Sequence, residues 1–258
     1  MTDLIDTESI TQSDLESIFK CVNRPDASPV SGTAACSFQG MGTRTRTTFI
    51  KALKQLGVDT IELPAFLDTS EQARDLAGYL DIYYDLYIIR YSDHEKLKAF
   101  ADYSNRPVIN AMSSIEHPCE AIADAYWFDT EVKQLNSSRI VLWGPMTNVL
   151  RSWRNVAQAG GAEVEIVSDA DDLPESVDLV ITDGWPPPLP GRTWQGLTLD
   201  HLKEMGHPVL LPTPPFTVGE ELLFDPLDYD GFAGYAQKQC LLDVQKAIIE
   251  WAIKTPHK

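Results

Sequence analysis

The sequence predicts an α/β protein with two domains, each a mostly parallel sheet flanked by helices. Short apolar runs alternate with amphipathic helical segments along the whole of the 258 residues. The apolar runs are continuous, which is typical of parallel strands covered on both faces. This alternation occurs twice, on either side of a polar stretch at 133–138. We therefore predict domains at 1–133 and 134–258, with the final helix returning to brace the first domain.

The first domain begins with a helix and continues as alternating strands and helices. Its predicted strands are 34–38, 60–63, 86–89 and 108–111. Its predicted helices are 14–21, a segment closed by Gly57, 70–79 and a segment opened by His117-Pro118. Ser13 is the expected N-cap of the first helix, and Thr69 with Gln72 forms the predicted capping box of the third. Proline suits the first position of the fourth helix, where its missing N–H has no helical partner to lose.

The second domain repeats the same order. Its predicted strands are 140–143, 164–167, 179–182 and 209–211. Its predicted helices are a segment from Gly144 to Gly160, 199–205 and 237–253, the last being the longest. The proline-rich run from Trp185 to Pro190 fits two interpretations equally well: a stiff surface loop, or a reshaped wall of a binding pocket.

Composition restricts the classes of partner and compartment. The chain has 38 Asp and Glu against 21 Lys and Arg, a formal net charge of -17. This charge repels nucleic acid and anionic membranes, so neither is expected as a partner. No apolar run approaches the ~20 residues that span a bilayer. The four cysteines show no Cys-x-x-Cys spacing, so we expect no disulfide framework, no metal site and a cytoplasmic location.

Basic side chains follow three of the predicted strands of the first domain. The segment from Gly42 to Arg46 (Gly-Thr-Arg-Thr-Arg) joins the first strand to a helix, where backbone N–H groups and the helix dipole favour an anion. Its two arginines and two threonines would clamp phosphate oxygens, unless they are solvated charges and caps. Arg90 ends another strand, and His117 begins the helix after a third. Together they predict a site for a phosphorylated or polarised acyl substrate.

These segments resemble the signatures of the aspartate/ornithine carbamoyltransferase family, which are Ser-Thr-Arg-Thr-Arg and His-Pro-x-Gln. The matching residues here are Thr43 to Arg46, Arg90 and His117-Pro118-Cys119-Glu120. Residues 106–111 (Arg-Pro-Val-Ile-Asn-Ala) resemble the strand before the family's histidine. Residues 144–149 and 179–185 are similar to segments of its ornithine branch. The resemblance extends over nearly the whole chain.

The resemblance implies a two-substrate transferase without a cofactor. The first domain would bind carbamoyl phosphate and the second an amine acceptor, in a homotrimer whose partners are these small molecules. The catalytic residues would be Arg44, Arg90 and His117. The donor-binding residues would be Gly42, Thr43, Arg44, Thr45, Arg90, His117 and Glu120. The acceptor-binding residues would be Asn148, Asp183, Thr213 and Pro214.

Several positions depart from the family pattern. Gly42 replaces its leading serine, Thr69 its mobile loop lysine and Glu120 the glutamine of His-Pro-x-Gln. In the second domain, 212–215 (Pro-Thr-Pro-Pro) replaces His-Cys-Leu-Pro, and Leu241 stands where the family has an arginine. Asp183 is kept where the ornithine branch holds the acceptor's α-amino group. The chain is also shorter than the family usually is, which predicts trimmed loops.

We therefore expect transfer of a carbamoyl or related group to an unusual, amino-acid-like acceptor in specialised metabolism. Two alternatives stay open at this point. The same scaffold would accept a different phosphorylated donor, or catalyse a condensation or hydrolysis. The second alternative is a homologue that binds a ligand without catalysis.

Overall fold

The computed structural model describes residues 2–24, 30–40, 42–168, 173–186 and 194–255. Two four-stranded parallel sheets have equivalent strand orders, β2-β1-β3-β4 and β6-β5-β7-β8. Their strands are β1 (Thr33–Phe38), β2 (Asp59–Glu62), β3 (Leu86–Arg90), β4 (Val108–Met112), β5 (Arg139–Trp143), β6 (Glu163–Val167), β7 (Leu179–Thr182) and β8 (Val209–Pro212). The predicted class, two parallel α/β units, is confirmed.

Helices connect the strands as crossovers on the faces of the sheets. They are α1 (Gln12–Val22), α2 (Thr43–Leu56), α3 (Ala73–Leu80), α4 (His94–Tyr103), α5 (Pro118–Glu131), α6 (Asn148–Ala159), α7 (Leu199–Glu204) and α8 (Gln237–Lys254). Short 3₁₀ turns occur at Leu135–Ser137 and Pro226–Asp228. Within the described part of the chain, no helix is both long enough and apolar enough to cross a bilayer.

Two helix starts differ from the prediction. The N-cap of α1 is Thr11 and not Ser13, because Thr11 and Asp14 form a reciprocal capping box over backbone N–H groups. Thr69 does not cap α3. Its hydroxyl accepts from the N–H of Glu71 at 3.1 Å, and α3 begins only after Gln72.

The helix α4 has no counterpart among the predicted elements. Asp93 caps it by accepting from the N–H of Lys96 at 3.0 Å. Its buried face consists of His94, Leu97, Phe100 and Ala101. This narrow apolar stripe among charged residues gives a weaker periodic signal than the flanking strands do.

The core continues from one sheet to the other. The central strands of both sheets are buried, whereas the edge strands β2 and β6 are largely exposed. Helix α8 packs against α1, α2 and α5, and α5 in turn packs against α6. This packing holds the carboxyl ends of the two sheets on either side of one cleft, where open parallel sheets bind ligands.

Candidate active site

A cavity of about 570 Å³ lies in this cleft. Residues from the starts of α2, α5 and α6 and from the ends of β3, β4, β7 and β8 line it, together with side chains of α8. The lining includes these ten of the eleven predicted site residues: Thr43, Arg44, Thr45, Arg90, His117, Glu120, Asn148, Asp183, Thr213 and Pro214. The eleventh, Gly42, lies beneath Arg90 and is not part of the lining.

The start of α2 presents backbone donors to the cavity. The first intrahelical hydrogen bond runs from the N–H of Arg46 to the carbonyl oxygen of Gly42, at 2.9 Å. The N–H groups of Arg44 and Thr45 precede that bond, in the first turn of the helix, where no intrahelical carbonyl acceptor is available. The positive end of the helix dipole adds to them, so this terminus attracts an anion.

Because Gly42 has no side chain, the side chain of Arg90 can lie close to the start of α2. The Gly42 backbone has a positive φ of 37°, and a Cβ there would lie 3.3 Å from Cδ of Arg90. Arg90 donates from Nη1 to the hydroxyl of Thr45 at 3.1 Å. Partial burial and the neighbouring Arg44 cation lower the pKa of Arg90, because both disfavour its charge. The two guanidinium groups therefore favour a ligand that carries negative charge.

Arg46 does not contribute to this site. Its Nε and Nη2 atoms donate to the two carboxylate oxygens of Glu62, each at 2.7 Å, on the exposed side of α2. Residues two positions apart on a helix point to opposite sides, so Arg44 and Arg46 cannot face the same ligand. The expectation that both loop arginines clamp a phosphate is wrong for Arg46. Arg90 supplies the second guanidinium group that lines the cavity.

His117 occupies the N-cap position of α5. Its backbone N–H donates to Ser152 Oγ at 2.8 Å, which ties the start of α5 to α6. Burial lowers the pKa of the imidazole, and the nearby Lys238 and Arg90 cations lower it further, although Glu120 opposes them. The ring is therefore neutral near pH 7. Its Nδ1 is buried without a hydrogen-bond partner among the described residues.

Lys238 of α8 is a cavity residue that sequence reasoning missed. Its ammonium forms hydrogen bonds with Glu120 and, at 3.2 Å, with Asp124. Burial alone would raise the pKa of Glu120, but Lys238, His117 and Arg44 outweigh it and lower that pKa. Glu120 is therefore a carboxylate. The available sequence signal was spacing, since Lys238 precedes Leu241 by about one helical turn and shares its face.

A second cavity of about 360 Å³ adjoins the first on the side of the second sheet. Asn148 and Asp183 line both cavities. Asn148 Nδ2 donates to the carbonyl oxygen of Ser113 at 2.7 Å, so this amide joins α6 to the loop after β4. Burial raises the pKa of Asp183, while hydrogen bonds from Thr147 and Gly184 limit the increase.

Arg151 also lines the second cavity, and the sequence did not single it out. Among the described residues, no carboxylate lies within ion-pair distance of its guanidinium. Carboxylates outnumber basic side chains 38 to 21 in this protein, so an arginine left without one is available to an anionic ligand. The second cavity thus combines a guanidinium with the carboxylate of Asp183.

The segment after β8 and the start of the proline-rich run also line the two cavities. Thr213, Pro214 and Pro215 follow β8 and line the larger cavity, and the Pro214–Pro215 peptide is cis. Trp185 and Pro186 line the smaller one. The remainder of the proline-rich run, 187–190, lies outside the described residues. In the described ranges, no group of three or more His, Cys, Asp or Glu side chains is arranged to hold a metal.

Known proteins resemble this chain over almost its full length. The family model "Aspartate/ornithine carbamoyltransferase, carbamoyl-P binding domain" matches residues 2–130. The ornithine carbamoyltransferase of Rhizobium johnstonii is 27% identical over 305 aligned positions, which cover 96% of this chain and 97% of the relative. That of Agrobacterium fabrum is 25% identical with the same coverage.

Solved structures share the fold. Ornithine carbamoyltransferase from Pyrococcus furiosus matches with a TM-score of 0.84 at 22% identity, covering 99% of this chain and 98% of that one. The enzyme from Burkholderia thailandensis matches with a TM-score of 0.84 at 21% identity, covering 98% and 99%. The fold and the sequence match together define a carbamoyltransferase-type α/β enzyme. Half of the chain fits the family model, and the chain belongs to the aspartate/ornithine carbamoyltransferase family.

The alignment with the Rhizobium enzyme is longer than this chain. It extends over 305 positions, whereas this chain has 258 residues. The Rhizobium relative therefore carries segments that have no counterpart here.

Proposed function

We propose that this protein transfers the carbamoyl group of carbamoyl phosphate to the side-chain amine of an α-amino acid. One observation carries the proposal: Arg44, Arg90, His117 and Asp183 line the same cavity, at the facing ends of two parallel sheets. Residues 1–133 would bind the donor and residues 134–258 the acceptor. Membership of the carbamoyltransferase family supports this division of roles.

The donor phosphate would lie at the start of α2. Backbone N–H groups of Thr43, Arg44 and Thr45, the Arg44 guanidinium and the threonine hydroxyls supply donors for its oxygens. Gly42 would contribute its backbone and the space for Arg90. Glu120 would accept a hydrogen bond from the carbamoyl NH₂ group, because a carboxylate accepts only.

Arg90 and His117 would act on the carbamoyl carbonyl. The acceptor nitrogen attacks the carbonyl carbon, and the carbonyl oxygen becomes an oxyanion to which Arg90 and the neutral His117 ring donate. The bond from that carbon to the phosphate oxygen then breaks, and the phosphate takes the proton that the attacking nitrogen releases. No covalent bond to the enzyme is required. Catalysis depends on positioning and on fixed donors in the cavity.

The two cavities together suggest the class of acceptor. Asp183 would bind the α-ammonium group, and Arg151 the α-carboxylate, in the smaller cavity. The side-chain amine would then reach the donor in the larger cavity, past Asn148 and between Thr213 and Pro214. Ornithine, the acceptor named in the relatives, is a member of this class, and the altered residues at 212–215 favour a different one.

An acceptor panel tests this assignment. Carbamoyl phosphate is incubated with the protein and with diamines or diamino acids of equal chain length, such as putrescine and ornithine, and ureido products are measured by mass spectrometry. We expect products from diamino acids only. Arg151→Ala should raise KM for the diamino acid about 10-fold to 100-fold, as loss of a charged hydrogen-bond donor does, while the donor KM stays unchanged. Equal turnover of putrescine, or an unchanged acceptor KM in this variant, would refute the carboxylate assignment.

We also propose a homotrimer with small-molecule partners only. The resemblance to the carbamoyltransferase family supports it. Light scattering should give a mass near three times 28.8 kDa. A monomeric mass would contradict the assembly.

A further inference from the structure

Three ionisable side chains form a cluster between α5 and α8. Lys238 donates to Glu120 and to Asp124, so two carboxylates share one ammonium. The side chain of Asp124 is 4% exposed, that of Glu120 is 17% exposed and that of Lys238 is 23% exposed. Glu120 and Lys238 line the larger cavity, whereas Asp124 lies behind them.

The reaction proposed above needs a place for a proton. An alkyl amine has a pKa of about 10.4, so the acceptor arrives as an ammonium ion and has no lone pair with which to attack. The leaving phosphate takes up the proton that is lost after attack, but it is not available beforehand. A base that faces the cavity would give this first proton a place to go at the site of reaction.

We propose that the cluster of Glu120, Lys238 and Asp124 accepts the proton that the acceptor ammonium loses before attack. This inference rests on the proposed function. The N–H bond of the ammonium breaks and an O–H bond forms on the cluster, so that no electron leaves and no further reactant is needed. Glu120 is the catalytic residue because it faces the substrate, and Lys238 and Asp124 are positioning residues. Release of the product returns the proton to solvent.

Charge supports this role. With both carboxylates ionised the cluster carries one net negative charge, and one added proton makes it neutral, which a buried site favours. Glu120 faces Lys238, His117 and Arg44, and its charge also acts on Asp183. Its charge therefore acts on groups assigned to the donor and on a group assigned to the acceptor.

The proton that neutralises the cluster is taken up near neutral pH. Asp124 faces Lys238, Glu120 and Cys240. Burial raises the pKa of Asp124 to about 7, with Glu120 raising it and Lys238 opposing the increase. A base with a pKa near the working pH is the most effective proton acceptor. The two carboxylates act as a pair, so the proton belongs to the cluster and not to one oxygen.

The pH dependence of kcat tests the inference. Wild type should lose kcat as the pH falls through about 7, because the protonated cluster can accept nothing more. Glu120→Gln keeps the shape and an acceptor for Lys238 but binds no proton, so kcat at saturating substrates should fall about 100-fold. Asp124→Asn should remove the loss of kcat near pH 7. Lys238→Met should move that loss to higher pH, since without the ammonium both carboxylates hold protons more tightly.

Glu131→Gln, a change of the same type at the exposed end of α5, is the matched control and should leave the profile unchanged. If the cluster is only a clamp, the three variants will melt at lower temperature and keep the wild-type pH profile of kcat. That result, or full activity of Glu120→Gln, would overturn the inference. If wild type transfers no carbamoyl group to any amine, the proposed function itself fails, and the two failures are thereby distinguished.

Discussion

Replacing Arg44 by alanine is expected to weaken carbamoyl phosphate binding about 100-fold, or about 3 kcal/mol, the contribution of a charge-assisted contact to a dianion. Arg44 lines the cavity beside the N–H groups of α2, and it has no carboxylate partner among the described residues. The substitution leaves the helix dipole and the backbone donors in place, so binding should weaken without being abolished. Isothermal titration calorimetry at constant ionic strength measures the effect directly.

Arg46 provides a matched control two residues away. It has the same side chain on the same turn of α2, but it pairs with Glu62 outside the cavity. Arg46→Ala should leave donor affinity within twofold of wild type and cost at most about 1 kcal/mol of unfolding free energy, as an exposed ion pair does. Equal losses of donor affinity in the two variants would show that only the overall charge of the helix start matters.

The second large effect is expected at His117. Removal of one donor from an oxyanion site typically lowers kcat about 100-fold to 1000-fold. His117→Ala should therefore reduce kcat by that amount and change donor affinity by less than fivefold, because we propose that the phosphate binds at the start of α2 and not at His117. Steady-state kinetics combined with calorimetry separates the two quantities.

His207→Asn serves as the control for His117. His207 is exposed, it lies away from both cavities, and its backbone has a φ of 59°, which asparagine tolerates. It should retain wild-type kcat and donor affinity. If His117→Ala loses donor binding while kcat at saturation is preserved, His117 holds the phosphate instead of acting on the carbonyl.

The fold was predictable because its signals are local. Continuous apolar strands such as 86–89, with helices between them, define parallel α/β units without any knowledge of distant contacts. The arginine at the end of β3 and the histidine at the start of α5 were recognisable for the same reason, since parallel strands all direct their carboxyl ends to one edge. Helix starts were less predictable, because neighbouring Thr11 and Ser13 are equally suitable caps by type.

The missed residues depend on contacts between distant segments. Lys238 reaches Glu120 across 118 positions of sequence, through the packing of α8 against α5. Arg46 has a local sequence context similar to that of Arg44, but it lies on the other side of α2 and pairs with Glu62 on β2. Arg151 gains significance because no carboxylate of the described residues lies within ion-pair distance of it, which no motif records. Such relationships appear only when the elements are assembled.

The central claim is transfer of the carbamoyl group, and its most direct test is the stoichiometry of the reaction. Carbamoyl phosphate labelled with ¹³C is supplied with an excess of a diamino acid, and inorganic phosphate and labelled ureido product are quantified in the same sample. We predict one ureido product for each phosphate released, with both formed about 100-fold more slowly in Arg44→Ala at limiting donor. Phosphate release without a ureido product, or no enzyme-dependent consumption of the donor with any amine, would contradict the account.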